Sequence, residues 1–123
     1  MKKVKVLLEA QYDGHSVKRN TSIDLKFKAP YSELVNCLNL LQLLNCNVRL
    51  IVKVNNKNKY EIGTFYLNNL SIDRDGESNI KFNSEVDYVE LNNINLLTEK
   101  ETIIKLLCTG EIQEEDDEEW KIN

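Results

Sequence analysis

Apolar and polar residues alternate along much of the chain, a pattern that predicts half-buried β-strands. The first run begins at Lys3, and its alternate apolar positions are Val4, Val6, Leu8, Ala10 and Tyr12. A second run has the same period at Ile23, Leu25 and Phe27. Asp13-Gly14 between them is a turn signal, so we expect the chain to open with a hairpin.

A helix is predicted after Pro30, since proline suits the first turn of a helix. Residues 31–45 are rich in leucine, and their polar members form one narrow stripe: Glu33, Asn36, Asn39 and Gln42. A helix that lies on one sheet face needs a much narrower apolar arc than this. We therefore expect either a curved sheet or a second copy of the chain, in a homo-oligomer, to cover helix 31–45, and periodicity does not separate the two.

The remaining patterned segments predict four more strands. Residues 48–54 alternate, 55–59 form a polar hairpin loop, and 60–72 are strand-like with Gly63 as a candidate bulge. Asp75-Gly76 predicts a tight turn, followed by a strand that includes Ile80, Phe82, Val86 and Tyr88. Residues 91–97 are apolar but asparagine-rich, which favours irregular structure.

The segment 98–112 allows two interpretations. Thr98-Glu99-Lys100-Glu101 matches a helix capping box, whereas 102–112 keep a period of two with β-branched residues. We favour a closing strand. The resulting order is β-β-α-β-β-β-β, which indicates an α+β protein with a single antiparallel sheet of about six strands and one major apolar helix.

Length and composition indicate one small domain followed by a tail. The 123 residues, with 41% hydrophobic and 29% charged, suit a folded domain over 1–113. Residues 114–119 are six consecutive carboxylates, which predicts an acidic, disordered tail over 114–123. The apolar residues near the N-terminus are interrupted by Lys5 and Glu9, so neither a secretory leader nor a membrane span is expected.

The cysteines and the histidine do not suggest metal or redox chemistry. Cys37, Cys46 and Cys108 lie in apolar contexts without a Cys-x-x-Cys pair, which predicts buried, reduced thiols in a cytoplasmic protein. The only histidine, His15, follows a turn signal, a poor context for catalysis. Asp73, Asp75 and Glu77 fail the spacing of a calcium loop, so a charged hairpin turn is expected. We expect no cofactor, no metal site and no enzymatic activity.

Charge is divided unequally along the sequence. Residues 1–60 carry a formal +7 and residues 61–123 carry −11, although the net charge is only −4. The acidic half ends in the run that precedes Trp120. This run is either a solvated terminus that aids solubility or a segment that docks on a partner with a basic surface, with the tryptophan as its anchor. The residues predicted to bind a protein partner are Glu114, Glu115, Asp116, Asp117, Glu118, Glu119 and Trp120.

The basic half suggests an alternative, a face that binds nucleic acid. Strand aromatics such as Tyr60, Phe65 and Tyr66 would stack bases if exposed, although aromatics at alternate positions more often fill a core. The residues predicted for this basic face are Lys18, Arg19, Lys26, Lys28, Lys57 and Lys59.

Three functions remain open from the sequence. Frequent asparagine, lysine and isoleucine suggest an AT-rich bacterial or phage genome. The leading hypothesis is a small phage or mobile-element protein that inhibits a host nucleic-acid-binding or defence protein by electrostatic occlusion, in the style of anti-CRISPR proteins. The alternative is a single-stranded nucleic-acid-binding protein of a phage recombination or replication module, with an acidic tail that recruits proteins. The third is a structural subunit of a virion or its tail.

Overall fold

In the computed structural model, which describes residues 2–17, 22–55, 57–85, 97 and 104–112, six antiparallel strands close into a barrel. The strands are β1 (Lys2–Val17), β2 (Ser22–Ala29), β3 (Asn47–Val54), β4 (Lys59–Ile72), β5 (Ser78–Glu85) and β6 (Ile104–Ile112). Helix α1 (Leu34–Leu40) lies between β2 and β3, flanked by short 3-10 turns at Tyr31–Glu33 and Leu41–Leu43. The predicted class and element order are confirmed.

The strands follow one another around the barrel in the order β1-β2-β5-β4-β3-β6, and β6 pairs with β1 to close the ring. Closure gives each of these strands a neighbour on both sides, although residues 2–10 of β1 pair only with β6, and this limits edge-to-edge association. Because every neighbouring pair is antiparallel, residues of one row on the outer wall come from different strands and lie side by side.

The alternating residues fill the barrel as the sequence predicts. On β1, Val4, Val6 and Leu8 are buried, and Ile104, Leu106 and Cys108 of β6 lie in the same core. Phe27 and Phe82 pack edge to face with their ring centroids 6.0 Å apart. Phe65 and Phe82 are wholly inside, so these two aromatics belong to the core.

Two glycines mark β-bulges. Gly14 has a φ of 117° and follows a register shift against β2, so β1 continues to Val17. The predicted turn at Asp13-Gly14 is therefore wrong, because the positive φ of Gly14 serves a bulge within a long strand. Gly63, with a φ of 133°, lies at a register shift between β3 and β4, which confirms the bulge predicted there.

Three further local predictions agree with the structure. The Asp75-Gly76 turn joins β4 to β5, and a polar loop joins β3 to β4. Residues 104–112 form a strand, which confirms the β interpretation over that range. Residues 98–103 and 113–123 lie outside the described residues, as do Val86, Tyr88 and residues 91–96, so the predictions for them stay predictions.

The helical segment crosses one end of the barrel and buries one side there. Cys37, Leu40 and Leu43 are wholly buried in the core cluster, and each large apolar side chain so buried contributes about 1.5–3 kcal/mol. The regular helix ends at Leu40, earlier than the predicted 31–45. The barrel end accepts one line of side chains, three residues apart, so the rest of the apolar surface is left outside.

Candidate functional site: a basic groove on the outer wall

An apolar row crosses three strands on the outside of the barrel, where polar residues would be expected. Leu7 of β1 pairs with Leu107 of β6, which pairs with Ile51 of β3. Leu7 is 58% exposed, and the other two are half-buried. These three side chains form a small aliphatic strip that faces solvent.

A row of lysines lies beside the strip. Lys105 of β6 pairs with Lys53 of β3, and Lys53 pairs with Lys59 at the start of β4. Each lysine of β6 and β3 is two residues from the aliphatic residue of its own strand, so the two rows are about 6.8 Å apart. Neighbouring lysines in the row come from strands about 4.8 Å apart.

Together the two rows enclose a cavity of about 300 Å³, here called the basic groove. The residues that line it are Leu7, Ile51, Val52, Lys53, Lys59, Lys105 and Leu107. The lining holds three ammonium groups and no carboxylate, so the groove offers positive charge on one side and an aliphatic floor on the other. An elongated ligand with the same division of charge and apolar surface fits this arrangement.

Two carboxylates lie next to the rows, and one of them is already paired. Arg49 Nε donates a hydrogen bond of 2.6 Å to Glu61 Oε1, and this bond lowers the pKa of the Glu61 carboxyl. Glu61 is thus engaged by Arg49, just beyond the apolar row. Glu9 of β1 is the carboxylate opposite Lys105, and Lys5 lies on the far side of Leu7.

The structure places the residues of the predicted basic face on separate parts of the barrel. Lys59 lines the basic groove and Lys57 lies in the adjoining loop. Lys26 and Lys28 are on β2, which is three strands from β3 in either direction around the ring. Lys18 and Arg19 lie outside the described residues, as does the acidic segment 114–120.

Sequence reasoning did not single out Leu7, Ile51, Leu107, Lys53 or Lys105 as a site. A signal was present, because each of the three aliphatic residues occupies a position that the alternation assigns to the polar face. What the sequence lacked was the strand order, which brings β1, β6 and β3 together although they are far apart along the chain.

Asp24 is a second charged group of interest, because it is almost wholly buried. Asn83 Nδ2 donates a hydrogen bond of 2.5 Å to its Oδ1, and Lys81 Nζ lies 3.6 Å from its Oδ2. These contacts compensate the carboxylate for lost water, and hydrogen bonds to a charged group contribute about 1.5–3 kcal/mol each. The cluster therefore has a structural explanation in the pairing of β2 with β5.

The cysteines lie mainly in the core. Cys37 and Cys108 are wholly buried, and burial raises the pKa of both thiols. The buried Ser78 hydroxyl opposes this rise at Cys37 without reversing it. Cys46 is only half-buried, so the prediction of buried thiols holds for two of the three cysteines.

Asp73 and His15 have local roles in the structure. Asp73 Oδ1 accepts hydrogen bonds from the backbone N–H groups of Asp75 and Glu77, at 3.0 and 3.1 Å, as expected for a charged hairpin turn. His15 is on strand β1 and not in the predicted turn. Its Nδ1 shares a hydrogen bond with the Tyr12 hydroxyl.

The outer side of the helical segment is a second apolar surface. Tyr31 is 68%, Val35 70% and Leu38 47% exposed, and Leu41 and Leu44 are also exposed. The barrel covers one side of the helical segment and leaves this other side, here called the helix face, open. The curved sheet expected from the sequence therefore accounts for one side of the helix, and a second copy of the chain is still a candidate to cover the helix face.

Among the described residues, no group of histidine, cysteine and carboxylate side chains has an arrangement that would hold a metal ion. No helix in this part of the chain is both long enough and apolar enough to cross a membrane. No family model, curated protein or solved structure matches the chain. The inhibitor and virion-subunit hypotheses stay predictions.

Proposed function

We propose that this protein is a non-enzymatic binding protein for single-stranded nucleic acid and that the basic groove is its binding site. The observation that carries the proposal is the pair of parallel rows on the outer wall, one of three lysines and one of three aliphatic residues. A single strand has the matching division, because its phosphates are charged and the faces of its bases are apolar.

The chemistry of the lysines supports a phosphate ligand. Lysine binds phosphate as a compact point charge and needs no planar, bidentate contact to do so. The arginine beside the groove, Arg49, already holds Glu61. Lys53, Lys59 and Lys105 therefore supply the charge of the groove.

The floor suits bases without selecting among them. Leu7, Ile51 and Leu107 offer aliphatic contact and no hydrogen-bonding side-chain group, so they favour binding with little sequence preference. A duplex would present its phosphates but keep its base faces stacked inside. The groove is thus expected to prefer single strands over duplexes.

The proposal is tested by measuring the fluorescence anisotropy of a labelled oligothymidylate as protein is added. The titration is done first at low salt and then at increasing salt concentrations. The double variant K53Q/K59Q is expected to weaken binding. It should also make the slope of log affinity against log salt shallower by about 1.4, because each lost phosphate contact removes about 0.7.

The matched control is K26Q/K28Q, which removes two lysines from β2 on another side of the barrel. It should leave both affinity and salt slope near those of the natural sequence. The proposal fails if the natural protein does not bind the oligonucleotide at low salt, or if the two double variants weaken binding equally.

A further inference from the structure

We propose that the acidic segment 114–119 together with Trp120 folds back onto the same molecule and occupies the basic groove. The chain would then carry its own competitor for the ligand. The regulatory meaning of this contact rests on the proposed function, whereas the contact itself depends only on the groove and the segment.

Charge complementarity is the first argument. The groove presents Lys53, Lys59 and Lys105 with no carboxylate in its lining. Of the carboxylates next to it, Glu61 is engaged by Arg49 and Glu9 lies opposite Lys105. The segment 114–119 consists of six consecutive carboxylates. Among the 62 residues that follow Glu61, this is the longest run of like charge, so it is the strongest competitor for the lysines that the chain itself can supply.

The second argument is the apolar residue at the end of the run. Trp120 is the single tryptophan of the chain and directly follows the carboxylates. The floor formed by Leu7, Ile51 and Leu107 is an aliphatic surface in the same groove as the lysines. The segment and the groove therefore match in both features, a charged part joined to an apolar part.

The third argument is reach. Strand β6 ends at Ile112, and the same strand bears Leu107 and Lys105 on the groove, about 17 and 24 Å back along its length. Trp120 is eight residues beyond Ile112 and can extend about 27 Å. Trp120 can therefore reach the floor within one molecule, running back over the strand that leads into it. Glu118 and Glu119, six and seven residues beyond Ile112, can extend about 20 and 24 Å, so the end of the acidic run is the part that reaches the lysine row.

Trp120 fluorescence tests the contact in the full-length protein. At low salt we expect blue-shifted emission and protection from acrylamide quenching, both lost as salt is raised, because salt screens exposed charges. K53Q/K59Q should lose the protection at low salt, whereas the matched control K26Q/K28Q should retain it. L7Q, at an exposed position of the floor, should shift the emission to the red.

Several outcomes overturn the proposal. Emission typical of a water-exposed tryptophan at low salt shows an unoccupied groove. Equal loss of protection in the two lysine variants shows contact with charge in general. Protection that disappears on dilution shows a segment from another molecule in the groove.

Oligonucleotide binding separates this proposal from the proposed function. In a full-length variant with 114–119 neutralised to glutamine and asparagine, a groove that had been filled about nine-tenths of the time should bind about tenfold more tightly. If Trp120 is protected from quenching but the protein binds no oligonucleotide, the fold-back stands and the nucleic-acid function is rejected. If the neutralised variant binds the oligonucleotide with the same affinity as the natural sequence, the proposed function stands and the fold-back is rejected.

Discussion

At the scale of single residues, the barrel interior holds acidic groups that keep their protons. Burial raises the pKa of the Cys37 and Cys108 thiols, and the neighbouring Cys37 adds to the rise at Cys108. Tyr12, half-buried beside Phe27, has its pKa raised by burial to about 12. Each of these groups is neutral when protonated, so the fold favours the protonated form.

Stability is accordingly expected to fall in alkaline solution. Below the unfolded thiol pKa of about 8.5, both states keep these protons and the stabilising contribution is fully present. As the pH rises above that value, the unfolded chain releases protons that the folded chain retains, so the free energy of unfolding decreases. Tyr12 adds a decrease of the same sign above its unfolded pKa of about 10.

Urea unfolding under reducing conditions, between about pH 7 and pH 10, measures this dependence. C108A should flatten the fall in the midpoint with pH, whatever its effect on stability at neutral pH. C46A, at the half-buried cysteine, should keep the slope of the natural sequence. A urea midpoint that stays constant up to pH 10 would contradict the conclusion that the folded protein retains these thiol protons.

At the scale of elements, the helical segment makes one close contact with β6, at Gly110. A Cβ placed on Gly110 would lie 2.7 Å from Leu43 Cδ2 and 3.1 Å from the Asn47 carbonyl oxygen. The first atom is a side-chain end, and the second is backbone. Gly110 thus lets Leu43 enter the core at the barrel end, a packing role that composition and periodicity do not reveal.

Gly110→Ala is therefore expected to destabilise the protein by about 1–3 kcal/mol through overpacking. The double variant G110A/L43A should be more stable than the sum of the two single changes predicts, because the shorter side chain relieves the clash. Gly14→Ala is the control, since a Cβ there meets no atom within 4 Å and its cost comes from the positive φ. L43A should not rescue G14A, and additivity in the G110A pair would contradict the packing argument.

The sequence predicted elements better than it predicted their assembly. Alternation identified all six described strands because each places one face in the core. It misjudged Asp13-Gly14, since a glycine with positive φ serves a bulge as well as a turn. It also identified only Lys59 of the groove lining, because rows on an outer wall depend on which strands become neighbours.

At the scale of the whole molecule, closure explains where association can occur. A barrel in which each described strand has two neighbours offers little strand edge for pairing with another chain. The basic groove is charged, so two copies brought together there would repel each other. The helix face is different, because residues 34–48 contain no charged side chain.

Self-association through the helix face is therefore expected. A twofold axis would place Val35 and Leu38 of two copies together, and these side chains are 70% and 47% exposed in the single chain. Light scattering should show a mass that rises with concentration from 14.3 kDa toward twice that value.

V35K/L38K should remain monomeric, because pairing would bury four lysines without partners. T64K/Y66K adds the same charge on the outer wall of β4 and should associate normally. A natural protein that stays monomeric at every concentration, or a V35K/L38K variant that associates equally well, would contradict this prediction.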